Sequence, residues 1–533
     1  MLAATLLCFA LLSFGQEAFG QEEGQARRQQ PAPAQQPTPA SQTMATPSGS
    51  PSAQQRGPQE RPTPSAEEPP VVTKHEIRVG GKTLHYTATV GMMPIKNRDG
   101  ETEARIFFMA YTLDDAGGRV RRPLTFSFNG GPGSASVWLH LGALGPKRVP
   151  MNPDGTMPAP PYQLVDNEYT WLNQTDLVFI DPVGTGYSRV VRPEAQRFFG
   201  LNGDIESVGE FIRMYLSRYE RWTSPLFLAG ESYGTTRASA LSGYLIGRGI
   251  AFNGIVLIST IMNFETTDFA AGNDLPYVMF LPSYAATAWY HKKLPPDLQS
   301  RSVQQIVSEV EQWAANDYTL ALQKGDRLTG QERQDVTARL ARYIGLSPQF
   351  IDNANLRVPL SLFRKELLRS ERRSIGRLDA RFKGFDASFA TDSPDFDASE
   401  AAIRPPYTST FNNYVRTELG YKSDLEYYIL GGGITSPWNW NTNNGYVDTS
   451  VALRTALARN PYLKIFVAMG YYDMATPYFA VDYTLHHISL DPVLLRNFST
   501  GYYEAGHMMY IDEKQLGRLR ADVGKFIDDS QRR

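Results

Sequence analysis

Cysteine is almost missing from this chain. Cys8 is the single one among 533 residues, and it lies in the extreme N-terminal segment. The remainder therefore has no internal disulfide, no cysteine-based zinc site and no cysteine nucleophile. An excess of charge of either sign is also missing. Lys plus Arg number 53 and Asp plus Glu 55, for a formal net charge of −2. That balance excludes a global basic field able to hold nucleic acid nonspecifically. No apolar run reaches the roughly 18 residues that a membrane-spanning helix needs, so no stable membrane insertion is expected after processing. No internal repeat is visible. What is present is a globular composition, 42% hydrophobic and 20% charged, which rules out wholesale disorder.

The N-terminal seventy residues divide in two. Residues 1–20 carry an apolar core, Leu2–Leu12, with no Lys or Arg before Arg27. The core is too short for an ordinary membrane helix and reads as a signal peptide, which implies export to a periplasmic or extracellular space. Residues 21–70 hold 11 of the 36 prolines and 10 glutamines, with no aromatic, Val, Ile or Leu. Such a segment cannot bury enough surface to offset its ordering entropy, and it is expected to be a disordered tether.

From Val71 onward the pattern changes. Alternating runs His75–Val79 and Lys82–Thr89 flank Gly80-Gly81 and predict a hairpin. Ala104–Tyr111 predicts a further strand. Leu124–Phe128, Asp176–Ile180 and Leu226–Ala229 are near-continuous apolar runs, each followed by a loop rich in Gly or polar residues, as expected of parallel strands covered on both faces. Ile205–Tyr219 reads as a helix between two of them. Gly254–Ser259 and Leu463–Met469 read as two more strands. This alternation predicts an α/β fold with a mixed, mostly parallel central sheet flanked by helices, and ligand chemistry at the strands' C-terminal ends. Ser302–Gln323, Thr329–Ile344 and Ser361–Arg373 read as charge-rich helices. Residues 263–406 are thus expected to be a mainly helical lid inserted between a first core part, 71–262, and a second, 407–533.

The sharpest chemical signal is Gly230-Glu231-Ser232-Tyr233-Gly234, a G-x-S-x-G pentapeptide after an apolar strand and before helix-compatible Thr235–Tyr244. Flanking glycines relieve crowding around a strained serine, whose hydroxyl is then exposed while the next backbone N–H can meet an oxyanion. A serine nucleophile needs a base, and the base an orienting carboxylate. His507 follows the strand-like Leu494–Tyr502 and is the best base. Asp473 follows Leu463–Met469 and suits the orienting role. Of the other histidines, His291 lies in the insertion, and His486 and His487 sit in a predicted helix, Tyr478–His487, as surface or packing residues. That adjacent pair cannot present both rings to one ion from a helix face, so no metal and no cofactor are expected. The loop Asn129-Gly130-Gly131-Pro132-Gly133-Ser134 brings backbone close to a ligand. It lacks the Lys-Ser/Thr ending of a phosphate-binding loop, and an oxyanion donor fits better.

Taken in order, Asn129–Ser136, Asp181–Ser188, Gly230–Gly234, Gly470–Pro477 and Gly506-His507-Met508 resemble the successive blocks of the serine carboxypeptidases, a family of α/β-hydrolases. The resemblance implies Ser232 as nucleophile, His507 as general base and Asp473 as its partner. It implies the backbone N–H groups of Gly131 and Tyr233 as oxyanion hole. It further implies that Asn129 and Glu231 bind the C-terminal carboxylate of a peptide substrate, which requires a protonated Glu231 and favours acidic pH. Two positions depart from the family pattern: Ser127 stands where a tryptophan is usual, and Ala143 where a glutamate is usual. Those losses favour, as the alternative, an esterase or acyltransferase using the same triad. Arg237, about one helical turn after Ser232, is expected at the helix surface, with a compensating charge for the substrate carboxylate as the other possibility. The family's disulfides are absent.

Overall fold

The computed structural model describes residues 67–114, 122–192 and 195–532. The signal peptide and all but the last four residues of the tether lie outside the described residues. Three strands open the fold as an antiparallel meander: β1 (Val71–Val79), β2 (Lys82–Lys96) and β3 (Thr102–Leu113). Gly80-Gly81 closes the first hairpin, with Val79 paired to Lys82. The chain continues through β4 (Leu124–Phe128), β5 (Asp176–Ile180), the short β6 (Arg189–Val190), β7 (Leu226–Ser232), β8 (Gly254–Thr260), β9 (Lys464–Gly470) and β10 (Phe498–Tyr503). The sheet order is β1-β2-β3-β5-β4-β7-β8-β9-β10, with β6 paired to β3. From β5 to β10 every neighbouring pair is parallel.

Apolar runs without alternation form these strands because both faces are covered. In β8, Ile255 and Leu257 enter one core and Val256 and Ile258 the other. The first core receives Phe211 from α1 (Leu201–Arg218) and Leu241 from α2 (Tyr233–Ile246). Each such side chain, fully buried, contributes about 1.5–3 kcal/mol.

Between β8 and β9 lie α3 (Leu275–Tyr290), α4 (Val303–Trp313), α5 (Gly330–Ile344) and α6 (Leu360–Glu366). Capping boxes start α4 (Ser302 with Gln305) and α5 (Thr329 with Glu332), each satisfying two backbone donors. The helix expected over Ser302–Gln323 is interrupted by a π-helical turn, Ala314–Tyr318. The one expected over Ser361–Arg373 stops at Glu366. There Arg369 reaches the carbonyl oxygens of Phe389 and Thr391, tying the chain to a loop instead of a further helical turn. Helix α7 (Ala398–Thr417) runs through residue 406 and packs Tyr407, Phe411 and Tyr414 into the second core. Beyond it come α8 (Ser450–Arg459), α9 (Tyr478–His486) and α10 (Glu513–Asp529). Leu453 of α8 joins the first core and Leu519 of α10 the second.

The last strand is shorter than expected. Pro492–Leu495 forms a helical turn whose first free N–H, that of Val493, donates to Asp491 Oδ1 at 2.9 Å, so β10 starts only at Phe498. Among the described residues no helix is long and apolar enough to cross a membrane.

Candidate active site

Strands β4 and β7 lie side by side, but the chain leaves β4 toward β5 and leaves β7 toward β8. A crevice opens at the carboxyl ends of strands whose connections diverge in this way. Asn129 directly follows β4 and Ser232 ends β7. Ser232 stands at φ 59°, ψ −132°, a strained backbone for a non-glycine residue, at the junction of β7 and α2. Its side chain is partly exposed while both neighbours are buried.

The turn is tight enough to require its glycines. A Cβ on Gly230 would lie 2.3 Å from the Gly234 carbonyl oxygen, and one on Gly130 would lie 2.4 Å from the Tyr233 nitrogen. The loop after β4 is thereby pressed against the first amide of α2. Gly131, at φ 102°, is exposed next to it. Amides at a helix N-terminus carry partial positive charge and favour an anion.

Asp473 and His507 follow β9 and β10 and meet. His507 Nδ1 and Asp473 Oδ2 are 2.8 Å apart and fully enclosed. The Thr476 hydroxyl donates to the same Oδ2 at 2.7 Å, and Oδ1 accepts the N–H groups of Ala475 and Thr476 at 2.8 and 2.9 Å. The carboxylate is thus fixed by four hydrogen bonds. Burial opposes charging of His507, but Asp473 outweighs it and holds the imidazole above its ordinary range.

The insertion also reaches this place. Residues 377–380 form a strap across both loops. The Leu378 carbonyl accepts the His507 N–H at 2.6 Å, and Asp379 Oδ2 accepts the Gly506 N–H at 3.1 Å. On the other side, the Met474 N–H donates to the Arg377 carbonyl and the Ala380 N–H to that of Tyr472, both at 3.0 Å. The Ser259 hydroxyl, in β8, donates to the His507 carbonyl at 2.5 Å. Sequence reading missed the strap, which lies in a stretch without periodicity. It also passed over Thr476, although that residue stands inside a recognised block.

Asn129 and Glu231 are brought together behind the serine. The Asn129 amide donates to Glu231 Oε1 at 2.8 Å, and Asn129 Oδ1 accepts the Leu139 N–H at 3.0 Å. Burial pushes the Glu231 carboxyl up to about 7 against the opposing pull of His507, so near neutrality it is half protonated. Ser127 is fully buried in β4, and Ala143 lies in a buried π-helical turn, His140–Leu144. His291 caps α3 and bonds the Ala380 carbonyl, whereas His486 and His487 are exposed.

Arg237 corrects an expectation. It is not at the helix surface but 1% exposed. Its Nε donates to Asp204 Oδ2 of α1 at 2.8 Å and its Nη1 to the Asn129 carbonyl at 2.7 Å, with the guanidinium over the rings of Phe128 and Tyr233. Its charge is spent on Asp204, so it is no free cation for a substrate. Removing one partner of a buried pair leaves the other charged or forced neutral, at a cost of about 3–5 kcal/mol. Arg237→Ala is accordingly expected to lower the thermal unfolding midpoint markedly, and calorimetry would show it. An unchanged midpoint would mean that Asp204 is readily neutralised.

A mixed sheet of this order, a serine on a left-handed turn after β7, and an Asp–His pair on the loops after β9 and β10 define an α/β-hydrolase. Within that class the assignment is narrower. The sequence model of the family described as Serine carboxypeptidase matches residues 82–516, and the chain belongs to that family. The Pheromone-processing carboxypeptidase KEX1 of Saccharomyces cerevisiae (strain ATCC 204508 / S288c) is 34% identical over 155 residues, covering 27% of this chain and 20% of the relative. Serine carboxypeptidase-like 13 of Arabidopsis thaliana is 25% identical over 172 residues, 31% of this chain and 38% of the relative. The chain therefore spans well under half the length of these curated relatives. The crystal structure of KEX1(delta)p, a prohormone-processing carboxypeptidase from Saccharomyces cerevisiae, matches with a TM-score of 0.52 at 18% identity, over 83% of this chain and 91% of that one. This is a likeness of fold.

Proposed function

We propose that the protein is an exported serine carboxypeptidase that releases C-terminal amino acids from peptides through an acyl-enzyme on Ser232. The observation that carries this reading is the placement of a buried Glu231, bonded to Asn129, directly before a serine on a strained turn. In this reading Ser232 Oγ attacks the scissile carbonyl and passes its proton to His507 Nε2, while Asp473 holds the Nδ1 proton and stabilises the imidazolium. The N–H groups of Gly131 and Tyr233 receive the oxyanion. His507 then protonates the departing amine, and the C-terminal amino acid leaves with its carboxylate held by Asn129 and Glu231. Water, deprotonated by His507, hydrolyses the ester and restores the serine. The helical insertion acts as a lid, supported by the strap it lays over the Asp473 and His507 loops. Export rests on the apolar segment Leu2–Leu12.

The pH dependence has a definite sign. Glu231, raised to about 7, is neutral below that value and accepts a substrate carboxylate beside it. Above it the two carboxylates repel. Peptide kcat/KM is expected to fall on the alkaline side by about tenfold per pH unit, while a matched C-terminal ester or amide shows no such limb. Glu231→Gln should remove the limb. Because Glu231 and His507 influence each other, the apparent values belong to the pair. The test is amino-acid release from blocked dipeptides between about pH 4 and pH 8, with the ester and amide in parallel. Lack of release from a protein whose Ser232 still reacts with a fluorophosphonate would move the assignment to an ester or acyl-transfer substrate.

A further inference from the structure

Three buried polar atoms without a hydrogen-bond partner converge behind Ser232: Glu231 Oε2, the Tyr407 hydroxyl and the Tyr510 hydroxyl. They come from the end of β7, from α7 and from the segment just after His507. The two tyrosines meet at Gly142. A Cβ there would lie 2.4 Å from Cε2 of Tyr510 and 2.7 Å from the Tyr407 hydroxyl. Tyr510 neighbours both the Glu231 carboxyl and the Asn129 amide. Tyr407 neighbours Glu231 and packs on Trp138 with ring centroids 5.1 Å apart. Buried hydroxyls are normally bonded, and hydroxyls left without a well-formed bond beside a buried carboxyl call for an explanation.

We propose that Tyr407 and Tyr510 are specificity-determining residues that donate their O–H groups to the C-terminal carboxylate of the peptide, completing the site begun by Asn129 and Glu231. The inference rests on the carboxypeptidase reading above. Its chemistry is consistent: a carboxylate offers about four acceptor positions, and burial keeps both phenols protonated, hence donors. The tyrosines meet at Gly142, the residue before Ala143, the position at which the family pattern places a glutamate. Two neutral donors from α7 and the His507 loop thus serve where an acidic side chain is missing.

The test uses Tyr407→Phe, Tyr510→Phe and the double variant of the full chain. Each is assayed on a blocked dipeptide with a free C-terminus and on the same dipeptide as its ester, with fluorophosphonate labelling of Ser232 alongside. Each substitution is expected to lower kcat/KM for the free acid about tenfold, mainly through KM, and to leave ester hydrolysis and labelling unchanged. The Tyr407 hydroxyl is unbonded within the protein, so Tyr407→Phe should leave the thermal midpoint unchanged; Tyr510 also faces Glu231 and Asn129, so its variant is judged on the ratio of free-acid to ester hydrolysis. A double variant that keeps the wild-type preference for the free acid overturns the role of the tyrosines and leaves the carboxypeptidase reading standing. A wild type that shows no such preference overturns the carboxylate site as a whole, and this inference with it.

Discussion

Ser232→Ala is expected to lower kcat/KM for peptide release by about 10⁴-fold or more, with little effect on folding. The expectation follows from where the serine stands. It ends β7 in a left-handed conformation, with the Tyr233 amide pressed against the loop that carries Gly131. Alanine keeps that strained backbone and loses only the hydroxyl. Binding and oxyanion contacts survive, which leaves a residual rate above that of water. The thermal midpoint should stay near the wild type. Glycine at the same position relieves the strain and should raise stability by about 1 kcal/mol. An alanine variant retaining more than about one hundredth of the activity would sink the nucleophile assignment, since triad knockouts cost far more than that.

Asp473→Asn should be nearly as damaging, about 10⁴-fold in kcat, for a different reason. Asp473 Oδ1 accepts two backbone N–H groups, so an asparagine there would keep its carbonyl on that side. Its amide nitrogen would then take the place of Oδ2, facing both the Thr476 hydroxyl and His507 Nδ1. An N–H donor against Nδ1 forces the imidazole proton onto Nε2, and the ring can no longer accept a proton from Ser232. KM should change little, and fluorophosphonate labelling of Ser232 should slow in parallel with peptide release. Unchanged labelling would show that Asp473 does not govern the state of the imidazole.

The strands that carry Ser232 and Asp473 were legible because parallel strands buried on both faces read as unbroken apolar runs, and their loops stand out against them. The strand before His507 was less so, because Leu494 and Leu495 continue the apolar run while Asp491 and Pro492 direct them into a helical turn. Arg237 was illegible for a tertiary reason. Its partner, Asp204, sits on another helix, and only the packing of α1 against α2 brings the two together. Tyr407 and Tyr510 were hidden in the same way: α7 and the segment after His507 are joined by the fold alone, at a glycine whose small size the sequence does not explain.

The strap at residues 377–380 makes the helical insertion something other than an interchangeable module. The amide of His507 finds its acceptor on Leu378, and the amide before it finds one on Asp379. A homologue's insertion grafted between β8 and β9 to alter specificity would carry the support of His507, the proposed base, with it or fail to. In the proposed mechanism, substrate choice and catalytic competence are therefore inherited together, and an exchange that respects the pocket but not the strap is expected to yield a well-shaped site with an unheld histidine.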